Sequence, residues 1–295
     1  MRSLRLPGRE LALDPALPLL MGIVNASPES FSDGGLHPDV DAQVAHGLRL
    51  VDEGAAIVDV GGESGVTNRP PVEAAVEIRR VVPVIERLSA AGATVSIDTW
   101  KGTVARAALA AGAAMVNDPS GGHDSDLVLA CAEHDAALVI THTRAAPKVK
   151  AFPDYEDVVA DVIALLSERL EAAGRAGVAS ERIVIDPGLD LAKTPAQSIE
   201  VLRRLEELRA IARPVLLAPS RKDFVGALTG CAPADRLAGT LAAVDRGAAA
   251  GVAILRLHDV AAAADFLGVR AALRDGPVEA DLHLPEHLRR EPAMS

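Results

Sequence analysis

Short apolar runs, each opening at a small-residue corner and stopping on a polar residue able to do chemistry, recur along the chain. They read GAAIVDVGGE at 54–63, GATVSIDT at 92–99, GAAMVND at 112–118, DAALVITH at 135–142, RIVIDPG at 182–188 and GVAILRLHD at 251–259. LLMGIVN at 19–25 and PVLLAPSRK at 214–222 bring the set to eight. Strands buried on both faces lose the alternation of a half-exposed sheet and read as unbroken Val/Ile/Leu runs, and a left-handed glycine commonly ends the helix before them. Between the runs, 39–53, 72–90, 101–111, 124–134, 155–173, 195–210, 234–250 and 260–274 repeat apolar residues at helical spacing, as in Val76, Val81, Ile85 and Leu88. Each such segment has one face to lay on a sheet. Thr194-Pro195 supplies a capping hydroxyl before a first-turn proline, and Gly112 follows 101–111 where a C-terminal cap is wanted. Strand and helix alternating eight times predict a single-domain α/β protein, a closed (β/α)₈ barrel of the TIM type, over 19–275. Residues 1–18 read as a segment leading into the first barrel strand, and 276–295 as a polar tail.

Composition narrows the function classes. Among 295 residues, 30 basic against 41 acidic side chains leave a formal charge of −11, which opposes nucleic acid and anionic membrane as partners. Aromatic residues make up only 2%, so stacking platforms for single strands are missing. Cys131 and Cys231 are too few and too far apart for a disulfide framework or a metal clip, as expected of a protein from a reducing cytoplasm. The stretch 11–24 is apolar but broken by Asp14, Pro15 and Pro18, which argues against a signal peptide. No run approaches the roughly 18–20 apolar residues of a membrane span.

In such a barrel the loops after the strands open on one face, where active sites are built. Asn25, Glu63, Asp98, Asn117, His142, Asp186, Lys222 and His258 each follow a different run, so eight polar groups are predicted around one mouth. Any one of them could instead cap a helix. Ser220-Arg221-Lys222 after the seventh run, with Arg256 and His258 at the eighth, is the local signal for an anion, since arginine grips phosphoryl oxygens and lysine adds a point charge. Asn25 offers an oxygen to a Mg²⁺ ion, which commonly takes one or two protein oxygens plus substrate phosphates; a capping role fits its spacing equally well. Asp98 and Asp186 emerge directly from apolar runs and must be paired or hydrogen-bonded. A carboxylate suits the N–H edge of a flat heterocycle, and Asn117 can both donate to and accept from such an edge. Bracing of Lys222 or of a neighbouring helix is the other reading of these acids.

Taken together, MGIVNASPESFSDGG at 21–35, IVDVGGES at 57–64, VSIDTWK at 95–101, NDPSGG at 117–122, IDPG and KTP within 185–195, SRKDF at 220–224 and RLHDV at 256–260 resemble dihydropteroate synthase of the folate pathway. The resemblance spans roughly 20–272 and implies a transferase joining 6-hydroxymethyl-7,8-dihydropterin diphosphate to 4-aminobenzoate with release of pyrophosphate. By matching position it implies that Asp98, Asn117, Asp186 and Lys222 hold the pterin, and that Asn25, Arg69, Arg256 and His258 hold the diphosphate with Mg²⁺ at Asn25. Thr67, Ser220 and Arg221 would face the aminobenzoate. Asn25, Asp98, Lys222, Arg256 and His258 are the expected catalytic set. Loss of pyrophosphate would leave a cationic methylene that the neutral arylamine attacks, under a lid formed by the loop 26–36, with Gly34 and Gly35 as hinges. The resemblance further implies a homodimer; the Ala- and Leu-rich faces of the last two barrel helices could supply the contact and are equally well explained by packing on the barrel.

Three departures fall around the substrates. The family's usual Glu-Ser-Thr-Arg-Pro is here Glu63-Ser64-Gly65-Val66-Thr67-Asn68-Arg69-Pro70, and its Gly-Phe-Gly-Lys is Asp190-Leu191-Ala192-Lys193. Ala218 stands where glycine is favoured. An altered substrate preference and a non-catalytic pterin-binding paralogue are the alternatives these raise; a methyltransferase acting on methyltetrahydrofolate, of the kind that shares the barrel and the pterin pocket, is a further one, against which the phosphate-gripping cluster favours the synthase.

Overall fold

The computed structural model of the chain describes residues 2–26, 40–65, 67, 69–274, 284–285 and 288–290. It opens with an antiparallel hairpin, β1 (Arg2–Leu6) and β2 (Arg9–Leu13), in place of a simple lead-in. Eight parallel strands follow: β3 (Leu19–Asn25), β4 (Ala55–Gly61), β5 (Val95–Asp98), β6 (Met115–Asp118), β7 (Ala137–Thr141), β8 (Ile183–Asp186), β9 (Leu216–Leu217) and β10 (Ile254–Leu257). Their hydrogen-bonded order is β8-β7-β6-β5-β4-β3-β10-β9. A parallel bridge between Ile185 and Val215, with the Ile185 N–H donating to the Pro214 carbonyl at 3.0 Å, closes the ring.

The helices between the strands are α1 (Val40–Asp52), α2 (Ala74–Ala90), α3 (Gly102–Ala110), α4 (Ser125–Glu133), α5 (Val158–Arg175), α6 (Pro195–Arg203), α7 (Asp223–Thr229), α8 (Leu237–Ala250) and α9 (Val260–Arg274). The helix expected over 195–210 stops at Arg203 and continues as a 3₁₀ stretch, Leu205–Ile211. Its start is the predicted one: the Thr194 hydroxyl accepts from the Gln197 N–H while the Gln197 side chain accepts from the Thr194 N–H. The seven-residue α7, directly after Lys222, is too short for a helical period to show in the sequence. Among the described residues no helix is long and apolar enough to cross a membrane.

Period-two alternation along the strands decides where the site lies. Val58, Val60, Val116, Ile185 and Leu255 face outward into the helical layer. Met21, Ile57, Met115, Val139, Val184, Leu216 and Ile254 meet inside the barrel, with Leu4, Leu6 and Leu13 of the hairpin packed among them. The hairpin therefore plugs the N-terminal end with hydrocarbon. Two residues further along, the same inward face carries Asp59 after Ile57, Asn117 after Met115, Asp186 after Val184 and Arg256 after Ile254. The interior changes from apolar to ionic within one layer, at the C-terminal mouth.

Candidate active site

Arg256 spans the floor of that mouth. Its Nε donates to Asp59 Oδ2 and its Nη2 to Asp98 Oδ2, both at 2.6 Å. Burial works against the guanidinium's charge, but the fields of Asp59 and Asp98 outweigh it and hold Arg256 above its ordinary pKa. Burial likewise pushes the Asp98 carboxyl up, with Arg256 pulling the other way. The Asn117 amide also donates to Asp59 Oδ2, at 3.0 Å. Asp59 is thus a member of the site absent from the sequence reading. Its signal was present, a charged residue in the middle of the run IVDVGG, flanked on both sides by valine.

Asp186 ends β8 almost fully buried, which raises its carboxyl pKa against the opposing Gly188 N–H and the Lys222 and Lys193 charges. Gly188 donates to Asp186 Oδ1 at 2.7 Å. Its φ of +68°, and the collision that a Cβ there would make with the His142 carbonyl, leave glycine as the residue this turn admits. Asp190 and Ala192 also lie in the left-handed region, with φ of 60° and 49°. These are the two positions where the family usually carries glycine. Asp190 is held by Ser198, which donates to Asp190 Oδ1 and accepts its N–H, each at 3.0 Å, and by the Asp223 N–H at the start of α7. Lys222 donates to the Leu189 carbonyl at 3.0 Å, so the loop after β8 and the lysine after β9 are fixed to one another.

Beneath that loop lies an arrangement the strand-end reading did not foresee. Lys193 is 1% exposed, with its ammonium 2.7 Å from His142 Nδ1 and 3.0 Å from the Gly188 carbonyl. His142 Nε2 lies 2.8 Å from Asp161. Burial, helped by the Lys193 charge, lowers the imidazole to about 4. Burial also brings Lys193 down to about 7, against the attraction of Asp186. His142 is neutral, donates through Nε2 and accepts through Nδ1. It braces the loop from below and does not face the mouth as expected. Glu63 departs in the same way: its carboxylate pairs with Lys101 at 2.5 Å and Lys148 at 3.1 Å and accepts the Val72 N–H. Six of the eight rim groups remain at the mouth, Asn25, Asp98, Asn117, Asp186, Lys222 and His258.

The basic side is built on β9 and β10. Ser220 Oγ accepts the His258 N–H at 3.2 Å and lies 2.9 Å from His258 Nδ1. Burial, then Arg256 and Arg221, lower His258 to about 4, so the ring is neutral. Arg221 forms a two-pronged pair with Asp259, at 2.8 and 3.2 Å. Asn25 ends β3 exposed. A cavity of about 740 Å³ opens beside this floor, between Trp100, Thr67, Lys148, Leu191, Arg221 and Lys222. Thr67 and Arg69 are both exposed on the second loop, and of the two it is Thr67 that lines the cavity. Gly34, Gly35, Val66, Asn68 and nearly all of 276–295 lie outside the described residues.

Comparison with known proteins agrees with this geometry. The model for "Pterin binding enzyme" matches residues 21–258. The dihydropteroate synthase of Mycobacterium leprae is 44% identical over 268 residues, covering 88% of this chain and 94% of that protein. The Xanthomonas albilineans dihydropteroate synthase solved with 4-aminobenzoic acid superposes with a TM-score of 0.87 at 44% identity, over 93% of this chain and 99% of that one. The same enzyme with 7,8-dihydropteroate gives 0.84 at 44% identity, over 93% and 100%. A barrel with an acid-lined, arginine-spanned floor and a match of this extent leave one assignment: the chain belongs to the pterin-binding enzyme family and, within it, to the dihydropteroate synthases.

Proposed function

We propose that the chain condenses 6-hydroxymethyl-7,8-dihydropterin diphosphate with 4-aminobenzoate, giving 7,8-dihydropteroate and pyrophosphate. The observation that carries this reading is the convergence on one floor of the acids Asp98 and Asp186, the amide of Asn117 and the cations Arg256 and Lys222. Asp186 and Asp98 accept from the amino and N–H groups of the pterin edge, and Lys222 seats the ring's acceptor side. Arg256 and the His258 ring face the diphosphate, and the family resemblance adds Arg69 of the second loop. Ser220, Arg221 and Thr67 line the side from which the aminobenzoate approaches.

The exocyclic C–O bond to pyrophosphate breaks, the electron-rich pterin spreads the resulting positive charge, and the arylamine nitrogen forms the new C–N bond and loses a proton. No side-chain nucleophile is needed. The protein orients the two partners and stabilises the departing anion with fixed donors. Asn25, exposed at the rim with a neutral amide oxygen, fits a Mg²⁺ ion that keeps most of its ligands as water and substrate phosphate. When bound, such an ion neutralises diphosphate charge. Two free cysteines support a cytoplasmic setting, and the exposed Leu237 of α8 and Val269 and Leu273 of α9 support a homodimer through those helices.

The test is pyrophosphate release from pterin diphosphate, 4-aminobenzoate and Mg²⁺, with mass spectrometry of the product. Lys222→Ala is expected to lower turnover by about 100-fold while the circular dichroism spectrum stays that of the wild type. A variant as active as wild type, or a wild type that makes no dihydropteroate, refutes the reading.

A further inference from the structure

We propose that Asp59 is a positioning residue that fixes the hydrogen-bond polarity of the pterin seat, a role resting on the seat described above. Asp59 has no exposed surface, so it touches no substrate. One of its oxygens, Oδ2, accepts from both Asn117 Nδ2 at 3.0 Å and Arg256 Nε at 2.6 Å. An asparagine amide can present either end, and the choice is made by whatever holds the other end. With its NH₂ committed to Asp59, Asn117 turns its oxygen away as an acceptor. The floor then offers three acceptor groups, Asp98, Asn117 and Asp186, and suits an edge rich in N–H. The same Oδ2 aims Arg256, whose Nη2 is left for Asp98.

The register gives the geometry a discriminating test. Asp59 is paired with Ser96 on β5, and both Asp59 Oδ1 and the Ser96 hydroxyl are buried without a hydrogen-bond partner among the described residues. Asp59→Asn can therefore keep an acceptor at the Oδ2 position and turn its NH₂ toward Ser96. Asp59→Leu keeps the branched, four-heavy-atom shape of the side chain and has no acceptor. Binding of pterin diphosphate, followed by calorimetry, is expected to weaken by about 10- to 100-fold in Asp59→Leu and to recover to within about fivefold of wild type in Asp59→Asn. The KM for 4-aminobenzoate is expected to stay within about twofold in both, which a loss of general integrity would not spare.

Wild-type binding with Asp59→Leu within threefold of it overturns this inference and leaves the functional reading standing. So does an Asp59→Asn variant no better than Asp59→Leu, or an equal loss on both substrates. A wild type that does not bind pterin diphosphate overturns both. If Asp59→Leu does not fold, Asp59→Asn is read alongside a crystal structure of the wild-type pterin complex. Asn117 Nδ2 on Asp59 with its oxygen on the ring N–H supports the role, and a reversed amide overturns it.

Discussion

Acidification should unlatch the loop after β8, through His142. Its imidazole titrates near 4 in the folded chain and near 6.5 when unfolded. Between those values the unfolded chain carries a proton that the folded chain lacks, so stability rises with pH across this window. The contribution is complete above pH 6.5 and is lost as pH falls through 4. With these two pKa values the linkage amounts to about 2 kcal/mol lost between pH 7 and 5, and about 3 kcal/mol by pH 4. Lys193, lowered to about 7, has the same sign but acts between pH 7 and its ordinary value near 10.5, so it scarcely contributes to the acid window. His258 does contribute there, since it is also lowered to about 4. The perturbation is therefore His142→Asn, whose side-chain oxygen can still accept from Lys193 but cannot titrate. Urea midpoints from pH 4 to 7.5 for wild type and variant are compared. The variant is expected to be less stable at pH 7.5, having lost the Asp161 contact, but its decline toward pH 4 should be shallower by about 3 kcal/mol. The His258 share stays in both curves and cancels. Parallel curves would refute the argument, because they would mean that His142 accepts its proton as readily when folded as when unfolded.

Two further outcomes follow from the ends of the barrel. Leu4→Ala empties a fully buried position in the hairpin plug and is expected to cost about 3 kcal/mol in urea unfolding, while kcat of the folded enzyme stays near wild type because the mouth is at the other end. Gly188→Ala places a Cβ against the His142 carbonyl at a left-handed φ, and is expected to raise the KM for pterin diphosphate more than that for 4-aminobenzoate; equal kinetics with wild type would show that the turn tolerates a side chain.

The barrel was legible in the sequence because each strand is read alone: an apolar run, its length and the polar residue that stops it are local facts. Asn25, Asp98, Asn117, Asp186, Lys222 and His258 come together because all eight strands run the same way, which the alternation with helices already implied. Pairings across the ring were not legible, since they depend on stagger between strands. Glu63 follows its strand as Asp98 does, but meets Lys101 and Lys148 at the rim and is spent on them. His142 has the same sequence context, yet Lys193, 51 residues later, rises beneath it. Asp59 lies in the middle of its run, and its place on the inward face at the level of Asn117 depends on the register between strands, which no single run carries. The hairpin and α7 were missed for a simpler reason, that five- and seven-residue elements give too few repeats to show a period.

The departures from the family pattern divide once the backbone is considered. Positions 190 and 192 keep the left-handed conformation that glycine usually supplies, and the cost of carrying Asp and Ala there is offset locally. Ser198 and the Asp223 N–H hold Asp190, while Tyr155 donates to the Ala192 carbonyl at 2.9 Å. Ala218 packs against the apolar interior of the barrel, where an extra methyl finds hydrocarbon. These three substitutions therefore preserve the path of the chain. Leu191 is different in kind, because it lines the same cavity as Trp100, at a position where the family usually presents a phenyl ring. The polar groups of the pterin floor, Asp98, Asn117, Asp186, Lys222 and Arg256, with Asp59 at their root, are not among the changed positions. Any shift in specificity is thus expected first at the acceptor amine, and Leu191 and the altered second loop, whose Gly65 and Thr67 line the same cavity, are the departures positioned to cause it.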